Sequence, residues 1–112
     1  MVKGFEQGDI VYLDFNPQAG HEQMGRRPAV VISNNMYNRF SKMLMLWPIT
    51  NTNKEHPFYI KLDDRTKTTG VILCDQAKML DADARNAEFE EKLPSDILTE
   101  VVDIVYSFIE IL

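Results

Sequence analysis

The sequence predicts a mainly β domain of the α+β class, in which a small, curled antiparallel sheet is capped by one C-terminal helix. Between residues 9 and 80, apolar residues occur in short alternating or continuous runs, a pattern typical of strands. After Pro94 the apolar spacing changes to that of a helix. A chain of 112 residues has room for one modest core, so residues 1–112 are expected to form a single domain.

The strands are predicted from two kinds of apolar pattern. Asp9–Phe15 alternates between two faces, as a half-buried strand does. Other segments are apolar runs too short for solitary helices, or shorter alternating stretches. In chain order, strands are expected at Asp9–Phe15, Ala29–Ser33, Met43–Ile49, Pro57–Leu62 and Val71–Leu80, with a short one at Ala87–Phe89. The polar segments Asn34–Lys42 and Asp63–Gly70 are expected to be turns.

The C-terminal helix is predicted from Pro94 onward. Ser95 and Asp96 fall in its first turn, where a hydroxyl cap and a negative charge suit the helix dipole. Its apolar positions at helical spacing are Ile97, Leu98, Val101, Val105, Phe108, Ile109 and Leu112. Three more apolar residues widen this face: Val102, Ile104 and Ile111. Two explanations of the wide face are open, a deeply buried helix and a second contact at a subunit interface.

The net charge of −5 is unevenly distributed along the chain. Residues 1–80 contain ten basic and eight acidic side chains, a net charge of +2, whereas residues 81–112 contain two basic and nine acidic ones, a net charge of −7. A weakly positive body is compatible with a local nucleic-acid groove that makes a modest number of phosphate contacts. It does not suggest a wide basic surface.

Several classes of protein are excluded by the remaining composition. No apolar run approaches the roughly 18 residues of a membrane helix, and the first residues lack the apolar core of a signal peptide, so a cytoplasmic location away from membranes is expected. The single cysteine, Cys74, cannot form an internal disulfide and is expected to be buried and inert. Two distant histidines, His21 and His56, give no metal-ligand spacing. No metal and no cofactor is therefore expected.

The segment Gly20–Val31 contains the most informative chemical motif. Two adjacent arginines, Arg26 and Arg27, end a polar loop bracketed by glycines and precede a short apolar strand. Pro28 restricts Arg27 to extended backbone, because the proline ring clashes with a helical residue before it. A guanidinium offers five donors that match the oxygens of a phosphate. From this segment alone, the alternative is an ordinary surface loop with solvated arginines.

Four separated motifs place this loop in a wider pattern. They are Gly-Asp-Ile-Val-Tyr-Leu-Asp-Phe-Asn-Pro from residue 8, the arginine loop, Pro-Ile-Thr at residues 48–50, and Val-Ile-Leu-Cys-Asp-Gln-Ala-Lys at residues 71–78. In this order and spacing the chain resembles the MazF/PemK toxins of bacterial type II toxin–antitoxin modules over about residues 8–85. The resemblance implies a small SH3-like antiparallel barrel of the CcdB/MazF kind, a homodimer and a cognate antitoxin partner.

The resemblance also implies which residues act. The arginine before proline and the threonine of the Pro-x-Thr segment are the catalytic pair of the family, and they correspond to Arg27 and Thr50. Arg27 could neutralise the phosphate in the transition state, and Thr50 could orient it. The residues expected to bind RNA are His21, Glu22, Gln23, Arg26, Asp75 and Gln76. Glu22 could also orient Arg27, accept a proton or form a plain salt bridge, and the family more usually has serine at the position of His21.

The implied function is a metal-independent, sequence-selective endoribonuclease that cleaves single-stranded RNA. In this chemistry the 2′-hydroxyl attacks the neighbouring phosphate and leaves 2′,3′-cyclic phosphate and 5′-hydroxyl ends. The alternative is a non-enzymatic gyrase poison, because the CcdB toxins share the implied fold. Those toxins end in an exposed Trp-Gly-Ile, whereas this chain ends in Ile-Glu-Ile-Leu. The C-terminal sequence therefore favours the nuclease.

Overall fold

The computed structural model describes residues 4–15 and 25–112. Within these ranges the chain forms seven strands and two helices, and every strand pairing is antiparallel. In chain order the elements are β1 (Asp9–Asp14), β2 (Arg26–Val31), α1 (Asn35–Phe40), β3 (Met43–Thr50), β4 (Tyr59–Lys61), β5 (Val71–Leu73), β6 (Lys78–Asp81), β7 (Glu88–Lys92) and α2 (Ser95–Ile109). The predicted class, a mainly antiparallel sheet followed by a C-terminal helix, is confirmed.

The strands form one sheet in the order β4-β5-β3-β2-β1-β7, and β6 also pairs with β3. Strand β3 is central because it is long enough to pair with β2 along one edge and with both β5 and β6 along the other. Among the described residues no pairing joins β4 to β7. The sheet is therefore not closed into the barrel that the resemblance implies.

Strand β2 begins at Arg26, so the two arginines expected to end a loop lie in the strand, and β7 extends further toward the C-terminus than predicted. Two other segments differ more from their predictions. The expected turn at residues 34–42 contains helix α1, because the side-chain oxygen of Asn34 caps it by accepting a hydrogen bond from the Tyr37 N–H at 2.9 Å. The expected long strand Val71–Leu80 is two strands, β5 and β6, separated by a turn. The Leu73 carbonyl accepts a hydrogen bond from the Gln76 N–H at 3.1 Å and so closes that turn. Because apolar residues flank this turn on both sides, the sequence pattern does not reveal it.

Each face of the sheet carries a hydrophobic cluster, as the alternation of side chains along strands requires. The helix-side cluster contains residues of the sheet together with α2: Ile10, Val30, Ile32, Trp47, Ile49, Ile60, Leu62, Ile72, Cys74, Leu93, Ile97 and Val101. The opposite cluster contains Val11, Leu13, Ala29, Val31, Leu44, Leu46, Leu80 and Ala82. Successive residues of β2 therefore project toward different clusters.

Helix α2 packs on the sheet from Ile97 to Val105, and its last turn is exposed. Ile97 and Val101 are buried, whereas Tyr106 and Ile109 are 61% and 73% exposed. Deep burial of the whole helix is therefore the wrong explanation of its wide apolar face. The predicted hydroxyl cap is also wrong, because Pro94 occupies the N-cap position and no side chain caps the first turn. Neither helix of the described residues is long and apolar enough to cross a membrane.

Candidate active site

The predicted catalytic pair lies on neighbouring strands. Arg27 is the second residue of β2 and is exposed, and Thr50 is the last residue of β3 and is half-buried. Ala29 of β2 pairs with Pro48 of β3. Extending this antiparallel register by two residues brings Arg27 opposite Thr50. Opposite residues of an antiparallel pair project from the same face, so the guanidinium and the hydroxyl share one side of the sheet.

Arg27 lies at the rim of the opposite cluster. It pairs with Leu13 of β1, which is fully buried in that cluster. The alkyl part of an arginine can cover apolar surface while its charged end stays in water. No side-chain hydrogen bond of Arg27 to another described residue is present, and its side chain is exposed. The strand thus fixes the backbone of Arg27 and leaves its donors accessible to an anion.

The preceding residue, Arg26, is engaged within the protein. Its Nη1 donates to Asp14 Oδ1 at 2.9 Å and its Nη2 donates to Glu88 Oε1 at 3.1 Å. Both nitrogens reach the Asn86 carbonyl at 3.2 Å, and the Tyr12 ring centroid lies 5.1 Å from the guanidinium carbon. Hydrogen bonds from Asn86 and then from Arg26 lower the pKa of Asp14. A phosphate would have to compete with this network, and RNA binding by Arg26 stays a prediction.

The predicted base-contacting pair, Asp75 and Gln76, lies between β5 and β6, and both residues are exposed. The turn is anchored from the core, because Trp47 Nε1–H donates to the Cys74 carbonyl at 2.7 Å. Trp47 is only 2% exposed, so it packs in the core and offers no surface for base stacking. This hydrogen bond ties the backbone at the start of the turn to the core.

This turn reaches the same part of the sheet as Thr50. Leu46 of β3 pairs with Lys78 of β6. Thr50 pairs with Val71 of β5 along the same edge of β3, so the β5–β6 turn lies beside Trp47 and Pro48. The start of β2, the end of β3 and the β5–β6 turn therefore converge at one edge of the sheet.

A groove next to Thr50 was not anticipated from the sequence. Residues 51–53, 61–64 and 69–71 contribute to its lining, and its volume is about 460 Å³. The lining combines amide, hydroxyl and ammonium donors with the carboxylates of Asp63 and Asp64 and with apolar side chains, so it is not a dedicated phosphate site. The sequence feature that could have indicated this groove is the polar run Asn-Thr-Asn-Lys, which directly follows Pro-Ile-Thr.

Three predicted RNA-binding residues lie outside the described residues: His21, Glu22 and Gln23. Their roles stay predictions. The other histidine, His56, is half-buried, and its ring stacks on Tyr59 with centroids 4.8 Å apart. Its Nδ1 accepts a hydrogen bond from the Phe58 N–H at 3.1 Å. His56 is therefore part of the packing that leads into β4 and is not simply solvated.

Cys74 is not a candidate nucleophile. It is 1% exposed, as predicted, and burial raises the pKa of its thiol to about 12, with further contributions from the nearby charges of Asp75 and Glu100. A thiol with so high a pKa stays protonated at neutral pH and is a poor nucleophile. Across residues 4–15 and 25–112, no group of three or more histidine, cysteine or acidic side chains could hold a metal ion.

The chain matches known proteins over most of its length. Residues 6–109 match the model of a family described as PemK-like, MazF-like toxins of type II toxin–antitoxin systems. The endoribonuclease PemK of Escherichia coli is 35% identical over 101 residues, which cover 87% of this chain and 76% of PemK. The endoribonuclease toxin MazF of Escherichia coli strain K12 is 42% identical over 82 residues, 73% of each chain. The MazE–MazF crystal structure from Deinococcus radiodurans matches with a TM-score of 0.83 and 31% identity, covering 99% of this chain and 100% of that one.

An antiparallel sheet followed by a C-terminal helix defines a small α+β domain, and the matched proteins share this fold. The family match spans nearly the whole chain, and both bacterial relatives exceed 30% identity. This chain belongs to the PemK-like, MazF-like toxin family of type II toxin–antitoxin systems. The resemblance found in the sequence motifs is thereby confirmed.

Proposed function

We propose that this protein is a toxin that cleaves single-stranded RNA and that Arg27 and Thr50 act on the scissile phosphate. The main support for this proposal is the strand register, because it places the start of β2 opposite the end of β3. The PemK and MazF relatives are named endoribonucleases. Those names support RNA cleavage and do not favour the gyrase-poison alternative.

The proposed reaction uses the RNA's own 2′-hydroxyl. The 2′-oxygen forms a bond to the adjacent phosphorus, the bond from phosphorus to the 5′-oxygen breaks, and a 2′,3′-cyclic phosphate and a 5′-hydroxyl result. Arg27 donates hydrogen bonds to the phosphate and offsets the charge that develops on it, an effect largest in the transition state. Thr50 donates its hydroxyl to the same phosphate and orients it.

Two protons must move in this reaction. The leaving 5′-oxygen takes up a proton, which Arg27 supplies in the proposed mechanism and regains from water, so that the guanidinium is cationic again. The 2′-hydroxyl loses a proton to a base, and a guanidinium suits that role poorly because it is almost never neutral. Glu22 is the carboxylate proposed for this step from the sequence motif.

Base selection is proposed to come from the residues around the catalytic pair. Single-stranded RNA exposes base edges that amide and carboxylate side chains can recognise by hydrogen bonds. Asp75 and Gln76 are exposed on an anchored turn, which suits them to this role. His21, Gln23 and Arg26 complete the proposed RNA contacts.

We also propose a homodimer with RNA crossing between subunits. The last turn of α2 and the residues after it support this proposal, because they carry large apolar side chains that are exposed: Tyr106, Phe108, Ile109, Ile111 and Leu112. Phe58 extends this surface, since its ring contacts that of Phe108 with centroids 4.7 Å apart. Light scattering should give twice the chain mass at micromolar concentration. Ile109→Glu should weaken the dimer, whereas Met36→Glu, at an exposed position of α1, should not.

The proposed protein partner is a cognate antitoxin. The family is defined as the toxin of type II toxin–antitoxin systems, and the relative from Deinococcus radiodurans was crystallised as MazE–MazF. An extended antitoxin segment that covers the RNA groove would block cleavage directly. In this scheme toxin and antitoxin meet in the cytoplasm, where their RNA substrate also lies.

Sequencing the RNA ends made by purified protein in excess chelator tests the activity. The expected result is cleavage at a recurring short motif with 2′,3′-cyclic phosphate and 5′-hydroxyl ends. A strict need for a divalent ion, or cleavage where the scissile nucleotide carries 2′-deoxyribose, would contradict the mechanism. Gyrase inhibition without RNA cleavage would support the alternative function.

A further inference from the structure

Gly70, the residue before β5, lies against the backbone of Thr50. Its φ is +118°, a conformation that residues with side chains rarely adopt. A Cβ at this position would lie 2.5 Å from the Thr50 carbonyl oxygen, 2.7 Å from the Thr50 carbonyl carbon and 3.1 Å from the Asn51 nitrogen. The first two distances are shorter than van der Waals contact, and all three atoms belong to the backbone. A side chain at residue 70 therefore has to displace one of the two chain segments.

Hydrogen bonds hold the segment that carries Gly70 in place. The N–H and the hydroxyl of Thr68 both donate to Glu91 Oε2 at 2.8 Å, and the Lys67 N–H donates to Glu91 Oε1 at 3.1 Å. The Gly70 carbonyl accepts a hydrogen bond from the Leu62 N–H at 2.9 Å. This segment is thus tied to β7 on one side and to the end of β4 on the other.

The segment that carries Thr50 pairs with Val71 of β5, but its strand ends at Thr50 and no strand follows within residues 51–58. Thr50 is the last residue of β3, and residues 51–55, which follow it, are all exposed. A clash is relieved where the resistance is smallest, so a methyl group at residue 70 should move the Thr50 carbonyl rather than Gly70. The hydroxyl of Thr50 would move with the backbone, because a β-branched side chain is stiff about χ1.

We infer that Gly70 is a positioning residue for RNA cleavage: the absence of a side chain at residue 70 sets the backbone of Thr50 and, through it, the direction of the Thr50 hydroxyl. This inference rests on the proposed function of Thr50. Misplacing a reacting group by about 1 Å can lower a rate by about a hundredfold. Gly70 acts through Thr50 and makes no contact with RNA in this scheme.

The test compares Gly70→Ala with Gly8→Ala. Gly8 also has a positive φ, +92°, but a Cβ there would meet only the end of the Leu98 side chain, at 3.2 Å. Both substitutions strain the backbone, and only Gly70→Ala disturbs Thr50. In single-turnover cleavage at saturating RNA, Gly70→Ala should be slower by about a hundredfold. Its Kd for an uncleavable 2′-deoxy substrate, and the rate of Gly8→Ala, should stay within about threefold of wild type.

A double variant separates positioning from a general structural role. Added to Thr50→Val, Gly70→Ala should lower the residual rate by less than about threefold, because the hydroxyl that Gly70 directs is already gone. An equal loss in both backgrounds, or a wild-type rate for Gly70→Ala alone, overturns the inference and leaves the role of Thr50 intact. A wild-type rate for Thr50→Val overturns the role of Thr50 and, with it, this inference.

Thr69→Val provides a second variant if Gly70→Ala does not fold. The Thr69 hydroxyl donates to Asn51 Oδ1 at 3.1 Å and links the same two segments without backbone strain. Its loss should lower the cleavage rate by about threefold in the wild-type background and have no effect in the Thr50→Val background. An unchanged rate in the wild-type background overturns the inference.

Discussion

Arg26 and Arg27 are adjacent in sequence and differ in almost every structural respect. Arg26 contacts two carboxylates, two carbonyls and an aromatic ring within its own chain. Arg27, on the other face of β2, is exposed at the rim of the opposite cluster. Because strand residues alternate between faces, one arginine stabilises the sheet and the other remains available to a ligand. The two arginines show that adjacent residues of the same type can have different environments.

The largest effect is expected from Arg27→Ala. Removing a donor that acts on a developing charge typically lowers the rate by about a hundred- to a thousandfold, with little effect on folding because the side chain is exposed. Single-turnover cleavage of one short RNA measures the loss. Arg39→Ala, at another exposed arginine in α1, is the matched control and should cleave normally. A near wild-type rate for Arg27→Ala would show that the catalytic assignment is wrong and would direct attention to Arg26 or His21.

Thr50→Val tests the other half of the catalytic pair. Valine keeps the shape of threonine and removes only the hydroxyl, so the rate should fall at least tenfold while the melting midpoint stays close to wild type. Thr99→Val, which removes an exposed hydroxyl from α2, is the control. If Arg27 and Thr50 act on one phosphate, the loss in the double variant should be well below the product of the single losses. Fully multiplicative losses would argue for separate roles.

Arg26→Ala should have a smaller effect on the rate, within about tenfold, and a clear effect on stability. The substitution removes hydrogen bonds that join the start of β2 to β1 and β7, so the melting midpoint should fall. If Arg26 also contacts a phosphate, as proposed from the sequence, the slope of log Kd against log salt should become shallower by about 0.7. An unchanged melting midpoint with a shallower salt dependence of Kd would show that Arg26 contacts RNA and does not stabilise the fold.

The smallest expected effect is a change with pH. The pKa of Asp14 in the folded protein is lowered by hydrogen bonds from Asn86 and Arg26, so the ionised carboxylate stabilises the fold. That contribution is fully present above the ordinary carboxyl value of 3.8 and is lost as the pH falls through the lowered folded value. The difference in melting midpoint between wild type and Arg26→Ala should therefore shrink between about pH 7 and about pH 2. A constant difference would show that ionisation of Asp14 does not affect the stabilising contribution of the Arg26 hydrogen bonds.

Much of the fold followed from the sequence because it depends on local pattern. The alternation of Asp9–Phe15 and the apolar runs of Met43–Ile49 predicted β1 and β3 nearly to the residue. Helix α2 followed from the change of period after Pro94. The same local logic failed at Val71–Leu80, where a turn anchored by Trp47 lies inside an apolar run. That anchor joins residues far apart in the chain, and no local pattern reveals it.

The residues of the candidate site come from the sequence motifs and stay a prediction, whereas their surroundings come from the structure. The motifs identified Arg27, Thr50, Asp75 and Gln76, and the structure brings the strand ends and the turn that carry them to one edge of the sheet. No pattern in the sequence indicates the hydrogen-bond network of Arg26. Its partners come from β1 and from the segment around β7, and only sheet pairing brings these segments next to the arginine.

By itself, the sequence determined the class of fold, the order of its elements and the family, because periodicity and motif spacing are properties of the linear chain. Only the tertiary structure showed that Arg26 is hydrogen-bonded among the described residues whereas Arg27 is exposed, and that a side chain at residue 70 would meet the Thr50 backbone. Both depend on distances between strands that are remote in sequence: Arg26 on Asp14 and Glu88 across the sheet, and Gly70 on the Thr50 backbone. Such contacts arise from the register of the assembled sheet, which is set by the packing of the whole core and not by any single segment.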